Sequence, residues 1–363
     1  MTAPTPRPGI LDITPYVPGT SGADDGRPVI KLSSNESALG PSPKAVEAAK
    51  RAAETMVRYP DGGATALREA LGRRWGLDPA RLICGAGSDE LLEMLPRAFA
   101  GPGDEILYSQ YGFAVYPIAT RAVGATPVTA PETGYRTDVD AMLAAVTERT
   151  KIVFLANPNN PTGSYIPASE VARLRAGLPG HVLLVIDSAY AEFASRGDYS
   201  DGAELVHDSD NTVMTRTFSK IYSLAGLRIG WLYGPAGIVD VLNRIRAPFN
   251  VSSVALAAAE AALADEAHVE AARRHNDQWL PRLTQTLRGM GLTVHDSVVN
   301  FVLVRFPGGA AQARAAERFL AERRIFVRNL DPYGIGDGLR INIGLDHEMA
   351  ALTDALGEFM GAT

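Results

Sequence analysis

The sequence predicts an α/β fold: a large domain built on a mostly parallel seven-stranded sheet, followed by a smaller α+β domain. Three observations point to it. From about residue 40 to 250, short β-rich runs alternate with helical patterns, the order that builds a parallel sheet covered by helices. Several of those runs are apolar throughout, as in Ile152-Val-Phe-Leu155 and Val182-Leu-Leu-Val-Ile186, which is how strands buried on both faces read. The alternation then stops at Pro248, and an Ala-rich helical stretch follows.

The candidate strands of the large sheet are 81–84, 105–109, 126–128, 151–156, 182–187, 212–216 and 229–233. Helical patterns lie between them at 44–55, 65–75, 89–99, 139–146 and 168–177. Beyond Pro248 the helical stretch runs over 254–290 with a break near 264–268. A strand (300–306), a helix (311–323), strands 325–328 and 339–343, and a last helix (346–360) complete the chain, with Asp346 a suitable N-cap for that helix. At 363 residues the chain exceeds what one core usually accommodates. The expected division is an N-terminal segment (1–40) that returns to the small domain or reaches a partner subunit, a large domain (41–250) and a small domain (251–363).

Composition excludes several classes. A formal charge of −6 gives no basic footprint for nucleic acid or an anionic membrane surface. Cys84 is the single cysteine, so no intramolecular disulfide forms and a reducing compartment fits best. No apolar run reaches the roughly 18 residues of a membrane span, and Met1 to Gly22 lacks the basic and apolar regions of a signal peptide. A cytoplasmic protein is expected, without nucleic acid, membrane or bound metal.

In open α/β sheets ligands bind beyond the carboxyl ends of the strands, and four segments stand there. Asp187-Ser-Ala-Tyr190 ends the most apolar strand. A carboxylate at that place serves as a cap or turn former, or pairs with a pyridine nitrogen and keeps it protonated. Thr217-Phe-Ser-Lys220 follows the next strand, with Arg228 eight residues beyond the lysine. Lys220 is a surface lysine or an amine that forms an imine and then moves protons; Ser219 and Arg228 suit a dianionic phosphate. Asn157-Pro-Asn-Asn160-Pro-Thr-Gly163 is a turn whose amides can meet a ring hydroxyl. Gly85-Ala-Gly87-Ser88-Asp89-Glu90 opens a helix whose free amides can take an anion. It lacks the third glycine of a dinucleotide fingerprint and a P-loop lysine. Taken in this order, the four supply the contacts that one vitamin B6 phosphate needs.

On these motifs the chain resembles the fold-type I pyridoxal-phosphate-dependent aminotransferases, and within them the histidinol-phosphate aminotransferases. The resemblance runs from Pro15-Tyr-Val-Pro-Gly19 to Leu339-Arg-Ile-Asn-Ile-Gly344 and is strongest over Leu32-Ser-Ser-Asn-Glu36, Tyr59 to Arg68, Asn157 to Gly163 and Arg216 to Arg228. It implies that Lys220 is the Schiff-base lysine, that Asp187 pairs with the pyridine nitrogen, and that Tyr190 and Asn160 bond the ring oxygen. Phe113 would stack on the ring, and Ser88, Asp89, Ser219 and Arg228 would surround the phosphate. Tyr59 would reach that phosphate from a neighbouring subunit, which makes a homodimer part of the active site. Arg340 and Arg328 would bind the substrate anion, and Tyr16 and Asn35 would close over it. The family usually has Asp-Glu-Ala-Tyr where this chain has Ser188 in second place, a departure that spares the Asp and Tyr contacts and would mark a subgroup with altered substrate preference.

The reaction implied is ping-pong transamination between glutamate, yielding 2-oxoglutarate, and a phosphorylated or aromatic keto substrate. Imidazole-acetol phosphate is the first choice of acceptor, in histidine biosynthesis. An aromatic amino acid aminotransferase, a threonine-phosphate decarboxylase and a catalytically idle cofactor-binding module are the rivals.

Overall fold

The computed structural model describes residues 4–22 and 26–361. The chain enters through strand β1 (Ile30–Leu32) and helices α1 (Pro43–Ala53) and α2 (Thr65–Trp75). Next come β2 (Leu82–Gly85), α3 (Gly87–Phe99), β3 (Glu105–Ser109), α4 (Val115–Ala122) and β4 (Thr126–Ala130). A hairpin, β5 (Glu132–Thr133) and β6 (Arg136–Thr137), leads into α5 (Val139–Ala144), β7 (Thr150–Ala156), α6 (Ala168–Gly177) and β8 (Leu183–Asp187). Helix α7 (Ala203–His207), β9 (Thr212–Thr217), β10 (Gly230–Tyr233) and α8 (Ala236–Ile245) follow. The remainder contains α9 (Ser253–Ala264), α10 (Glu266–Gly289), β11 (Thr293–Val294) and β12 (Phe301–Arg305). It ends with α11 (Gly309–Glu322), β13 (Ile325–Asn329), β14 (Gly338–Asn342) and α12 (Asp346–Met360).

Seven strands form the large sheet in the order β2-β10-β9-β8-β7-β3-β4. The pairs β3/β4, β3/β7, β7/β8 and β8/β9 are parallel, whereas β10 runs antiparallel to both its neighbours. Six strands therefore deliver their carboxyl ends to one edge. The run from Val182 explains itself in this frame. Leu183 and Val185 pack into the core on one face, with α3, α4 and α8, while Leu184 and Ile186 pack into the core on the other, with α5 and α6. Side chains alternate along a strand, so a strand covered on both faces has no polar position to spare.

The second sheet has the order β1-β13-β14-β12-β11. Its edge strand β1, parallel to β13, comes from the N-terminal segment. Three residues are too few for a period to show, and the sequence pattern does not mark them. Helices α4, α7 and α8 are likewise absent from that pattern: α4 carries Val115, Pro117, Ile118 and Thr120, all poor helix formers, and α7 is five residues long. The break in the long helical stretch falls at Asp265, whose carboxylate accepts from Ser42 Oγ and from Lys44 Nζ (2.9 Å) and so ties α1 to the α9/α10 junction. Asp346 is not an N-cap. Leu345 holds that position, its N–H donating to Glu348 (2.7 Å), and Asp346 instead accepts from Trp279 Nε1 (2.6 Å); a glutamate at the third helical position does the capping from inside the helix. Among the described residues no helix is long and apolar enough to cross a membrane.

Candidate active site

The edge where six strands end gathers the expected residues. Every predicted site residue except Tyr59 and Arg328 lines one cavity of about 460 Å³. Asp187 is the last residue of β8 and lies in register with Thr215 of β9. Its carboxylate is 5% exposed and accepts from Tyr116 Oη (2.8 Å) and Thr215 Oγ1 (3.2 Å). Burial pushes its pKa up from 3.8 to about 6 despite those bonds. A carboxylate in that position is short of a cation.

Lys220 follows β9 by three residues. Burial, and next the like charge of Arg340, bring its pKa down from 10.5 to about 8, so the neutral, nucleophilic amine is far more abundant near neutral pH than for an ordinary lysine. Its Nζ stands 5.5 Å from the centre of the Tyr190 ring. The Tyr190 hydroxyl accepts from Asn35 Nδ2 (2.7 Å), which leaves its own proton free to donate into the cavity. Asn160 Oδ1 accepts from Arg340 Nη1, so the Asn160 amide also presents its donor end. Arg340, on β14 of the second sheet, donates through Nη2 to Ser33 O (2.8 Å), and it is 5% exposed. Asn35 Oδ1 and Arg340 Nε, on two side chains that line the cavity, are buried with no partner among the described residues.

The opposite end of the cavity is built for an anion. Ser88 and Asp89 stand in the first turn of α3, whose amides have no acceptor within the helix. Arg228 Nη1 donates to Ser219 Oγ (3.3 Å), and its Nη2 pairs with Asp89 (2.9 Å). Thr217 holds the loop, its Oγ1 accepting from Ser219 N (3.1 Å). Two glycines keep this end open. A Cβ on Gly230 would meet Ser88 N at 2.4 Å, and one on Gly87, where φ is +82°, would meet Arg228 Nη2 at 2.3 Å.

Phe113 lies on the wall, edge-on to Tyr116 (5.9 Å between centroids), and Tyr116 in turn stacks on Phe154 (4.5 Å). Tyr16 lines the mouth. Arg328 is off the cavity wall; it sits directly opposite Arg340 in the β13/β14 pair, with its guanidinium 5.9 Å from the Tyr16 ring. Tyr59 is 82% exposed and stacks on Phe249, outside the cavity of its own chain. Ser188 points away from the cavity, donating to Asp201 O (2.9 Å). Asp201, with Glu192, pairs with the buried Arg216 at 3.0 and 2.6 Å. The departure at position 188 therefore concerns that buried ion cluster and not the pocket.

Sequence reasoning did not single out Tyr116, Thr215 or Thr217 as site residues. The threonines carry a signal, since residues two apart on a strand that ends beside Asp187 must share its face. Tyr116 carries none short of the fold. A carboxylate at a strand's end, an amine of lowered pKa, two amide or hydroxyl donors and an anion cradle together fit a pyridoxal phosphate.

Residues 27–356 match the family model described as aminotransferase class I and II. The chain is 60% identical over its full length to a histidinol-phosphate aminotransferase of Paramagnetospirillum magneticum, which is covered in full. It is 56% identical to one of Rhodospirillum centenum, with 99% of each chain covered. Among solved structures it superposes on the histidinol-phosphate aminotransferase of Sinorhizobium meliloti in complex with pyridoxal-5'-phosphate, with a TM-score of 0.91, 32% identity and 99% of both chains covered.

Proposed function

The chain belongs to the class I and II aminotransferases, fold-type I enzymes that use pyridoxal phosphate, and from that premise we propose that it transfers the amino group of glutamate to imidazole-acetol phosphate in histidine biosynthesis. The observation that carries this reading is the single cavity in which Lys220, Asp187, Arg228 and Arg340 meet. Full-length identity of 53–60% to relatives named histidinol-phosphate aminotransferases supports the choice of substrate.

When bound, pyridoxal phosphate supplies an aldehyde exchangeable between amines and a protonated ring that accepts an electron pair. The chain's own residues do the rest. Lys220 would hold the cofactor through its amine and, once released by the incoming substrate amine, its neutral Nζ would act as the base that takes the substrate Cα proton and as the acid that gives it back. Asp187 keeps the ring nitrogen protonated, an electrostatic contribution greatest where charge develops. Tyr190 and Asn160 donate to the ring oxygen, and Phe113 packs on the ring face. The α3 amides at Ser88 and Asp89, with Ser219 and Arg228, hold the cofactor phosphate. Arg340, helped by Arg328, grips a carboxylate in one half-reaction and a phosphate in the other, while Tyr16 covers the mouth and Asn35 holds the Tyr190 hydroxyl from beneath the substrate. Tyr59 adds a hydroxyl to the phosphate of the partner subunit, so the working unit is a homodimer, and the site of action is the cytoplasm. An N-terminal segment to residue 40 joined to the small domain is part of the same reading and is supported by the place of β1 in the second sheet. The boundary expected at 250 fits less well, because α9 packs into the large-domain core through Ala255, Ala259 and Leu263 beside Leu67, Met214 and Trp231.

The test is a kcat/KM comparison of histidinol phosphate with phenylalanine and tyrosine as amino donors to 2-oxoglutarate. Histidinol phosphate should lead by at least tenfold, and a lead for either aromatic amino acid would transfer the proposal to an aromatic aminotransferase. Glutamate should convert the bound cofactor to its amine form; failure to do so would remove transamination altogether.

A further inference from the structure

Three carboxylates line the cavity, and only two of them have partners. Asp187 accepts from Tyr116 and Thr215, and Asp89 pairs with Arg228. The third is Glu93. It stands four residues after Asp89 on α3, so the two share a helix face, yet among the described residues no hydrogen bond or ion pair within 4 Å engages it. Glu93 is exposed to solvent, and the wall it belongs to also carries the apolar Ile13 and Pro15 of the N-terminal segment and Val115 and Ile118 of α4. Burial, and next the like charge of Asp89, raise its pKa above the usual 4.5, while Arg97 one turn further works the other way.

A cavity wall that carries apolar side chains and one unpaired carboxylate suits a flat ring that carries an N–H donor. We propose that Glu93 recognises the imidazole ring of histidinol phosphate by accepting its ring N–H, and thereby separates this substrate from one bearing a phenyl ring. The inference rests on the function proposed above. The reacting amine must lie at Lys220 and the substrate phosphate at Arg340, so the ring is the part of the molecule left for the mouth. A phenyl ring against the same wall would offer the carboxylate nothing and would strip water from it. Sites that hydrogen-bond a substrate group reject analogues lacking it more strongly than apolar pockets do.

The experiment measures kcat/KM for histidinol phosphate, phenylalanine and glutamate on the holoenzyme and its Glu93→Ala and Glu93→Gln variants. Loss of a bond to a charged group predicts a fall of about 10- to 100-fold for histidinol phosphate in Glu93→Ala, carried mainly by KM. Glu93→Gln, which keeps an acceptor but not the charge, falls between. Glutamate, which has no ring, keeps its value or gains, and phenylalanine gains. Histidinol phosphate kinetics within twofold of wild type in both variants would overturn the role of Glu93 alone, as would an equal fall for glutamate, which marks a structural effect. A wild-type enzyme that turns over phenylalanine and ignores histidinol phosphate would instead overturn the proposed function, and this role with it.

Discussion

The hydroxyl of Tyr116 donates to the Asp187 carboxylate over 2.8 Å, although 71 positions separate the two residues in the chain. Packing fixes the tyrosine ring in place, since it is 1% exposed and stacked on Phe154 with planes 1° apart. Its bond holds down a pKa that burial drives up. Tyr116→Phe removes a hydrogen bond to a charged group, a loss of about 1.5 kcal/mol or more, with little change in packing. Cofactor affinity should weaken about tenfold, and kcat should fall with it. Titration of the cofactor-free protein with pyridoxal phosphate reads the first effect; an affinity and a kcat both within twofold of wild type would dismiss Tyr116 as mere packing.

Lys220→Ala should retain pyridoxal phosphate through its phosphate and ring contacts yet lose turnover by roughly 10²- to 10⁴-fold or more, the range supplied by a positioned acid–base group. Absorbance of the bound cofactor and steady-state rates separate the two effects. Near-normal turnover would discredit the assignment of Lys220.

Cofactor attachment needs the neutral amine of Lys220. With its pKa near 8, the rate at which cofactor-free protein takes up pyridoxal phosphate should climb with pH and level off above about 8. Arg340→Gln removes a like charge and should move the inflection upward. Stability follows the same titration. The folded pKa lies below the unfolded 10.5, so between pH 8 and 10.5 the unfolded chain binds more protons and this group stabilises the fold progressively as pH rises. A stopped-flow pH profile with its inflection near 10.5 would contradict the buried placement of Lys220.

Tyr59 is exposed on its own chain, and the proposed function gives it to a neighbouring subunit's phosphate. Tyr59→Phe should weaken cofactor retention on dialysis by roughly 10-fold or more, as expected for a lost bond to a charged acceptor, while leaving the dimer intact by light scattering. Retention equal to wild type would take Tyr59 out of the site.

Gly87→Ala should disturb the anion cradle twice. A left-handed backbone costs a residue with a Cβ about 1–2 kcal/mol, and the new methyl displaces Arg228. Cofactor affinity and melting temperature should both fall. Gly237→Ala, in α8 with no atom within 4 Å of the added Cβ, is the control and should stabilise slightly. Equal behaviour of the two variants would mean that Gly87 has no part in the cradle.

Much of this protein is legible in its sequence. Strand–helix alternation up to Pro248 suffices for the seven-stranded sheet, because a parallel strand buried on both faces is apolar at every position, as 182–186 is. That Asp187 and Lys220 lie on one edge of the sheet is legible for a related reason: a polar residue that ends such a run, or closely follows it, stands at the carboxyl edge. Local chemistry also sets the limits. A tyrosine in an apolar helix reads as core, and nothing near Tyr116 in sequence points to Asp187. The direction of β10, the edge strand β1 and the displaced cap at Leu345 are likewise settled by partners far along the chain.

The sequence by itself determined which groups could do chemistry and at which end of the sheet they would lie. Only the tertiary structure decided how they are paired: Asn35 with Tyr190 across 155 positions, Arg340 with Asn160 across 180, and Glu93 without a partner among the described residues on the same cavity wall. The reason is physical. Propensity and periodicity act over a few residues, whereas burial and unmet hydrogen bonds are properties of surfaces that meet only when two sheets close over one cavity.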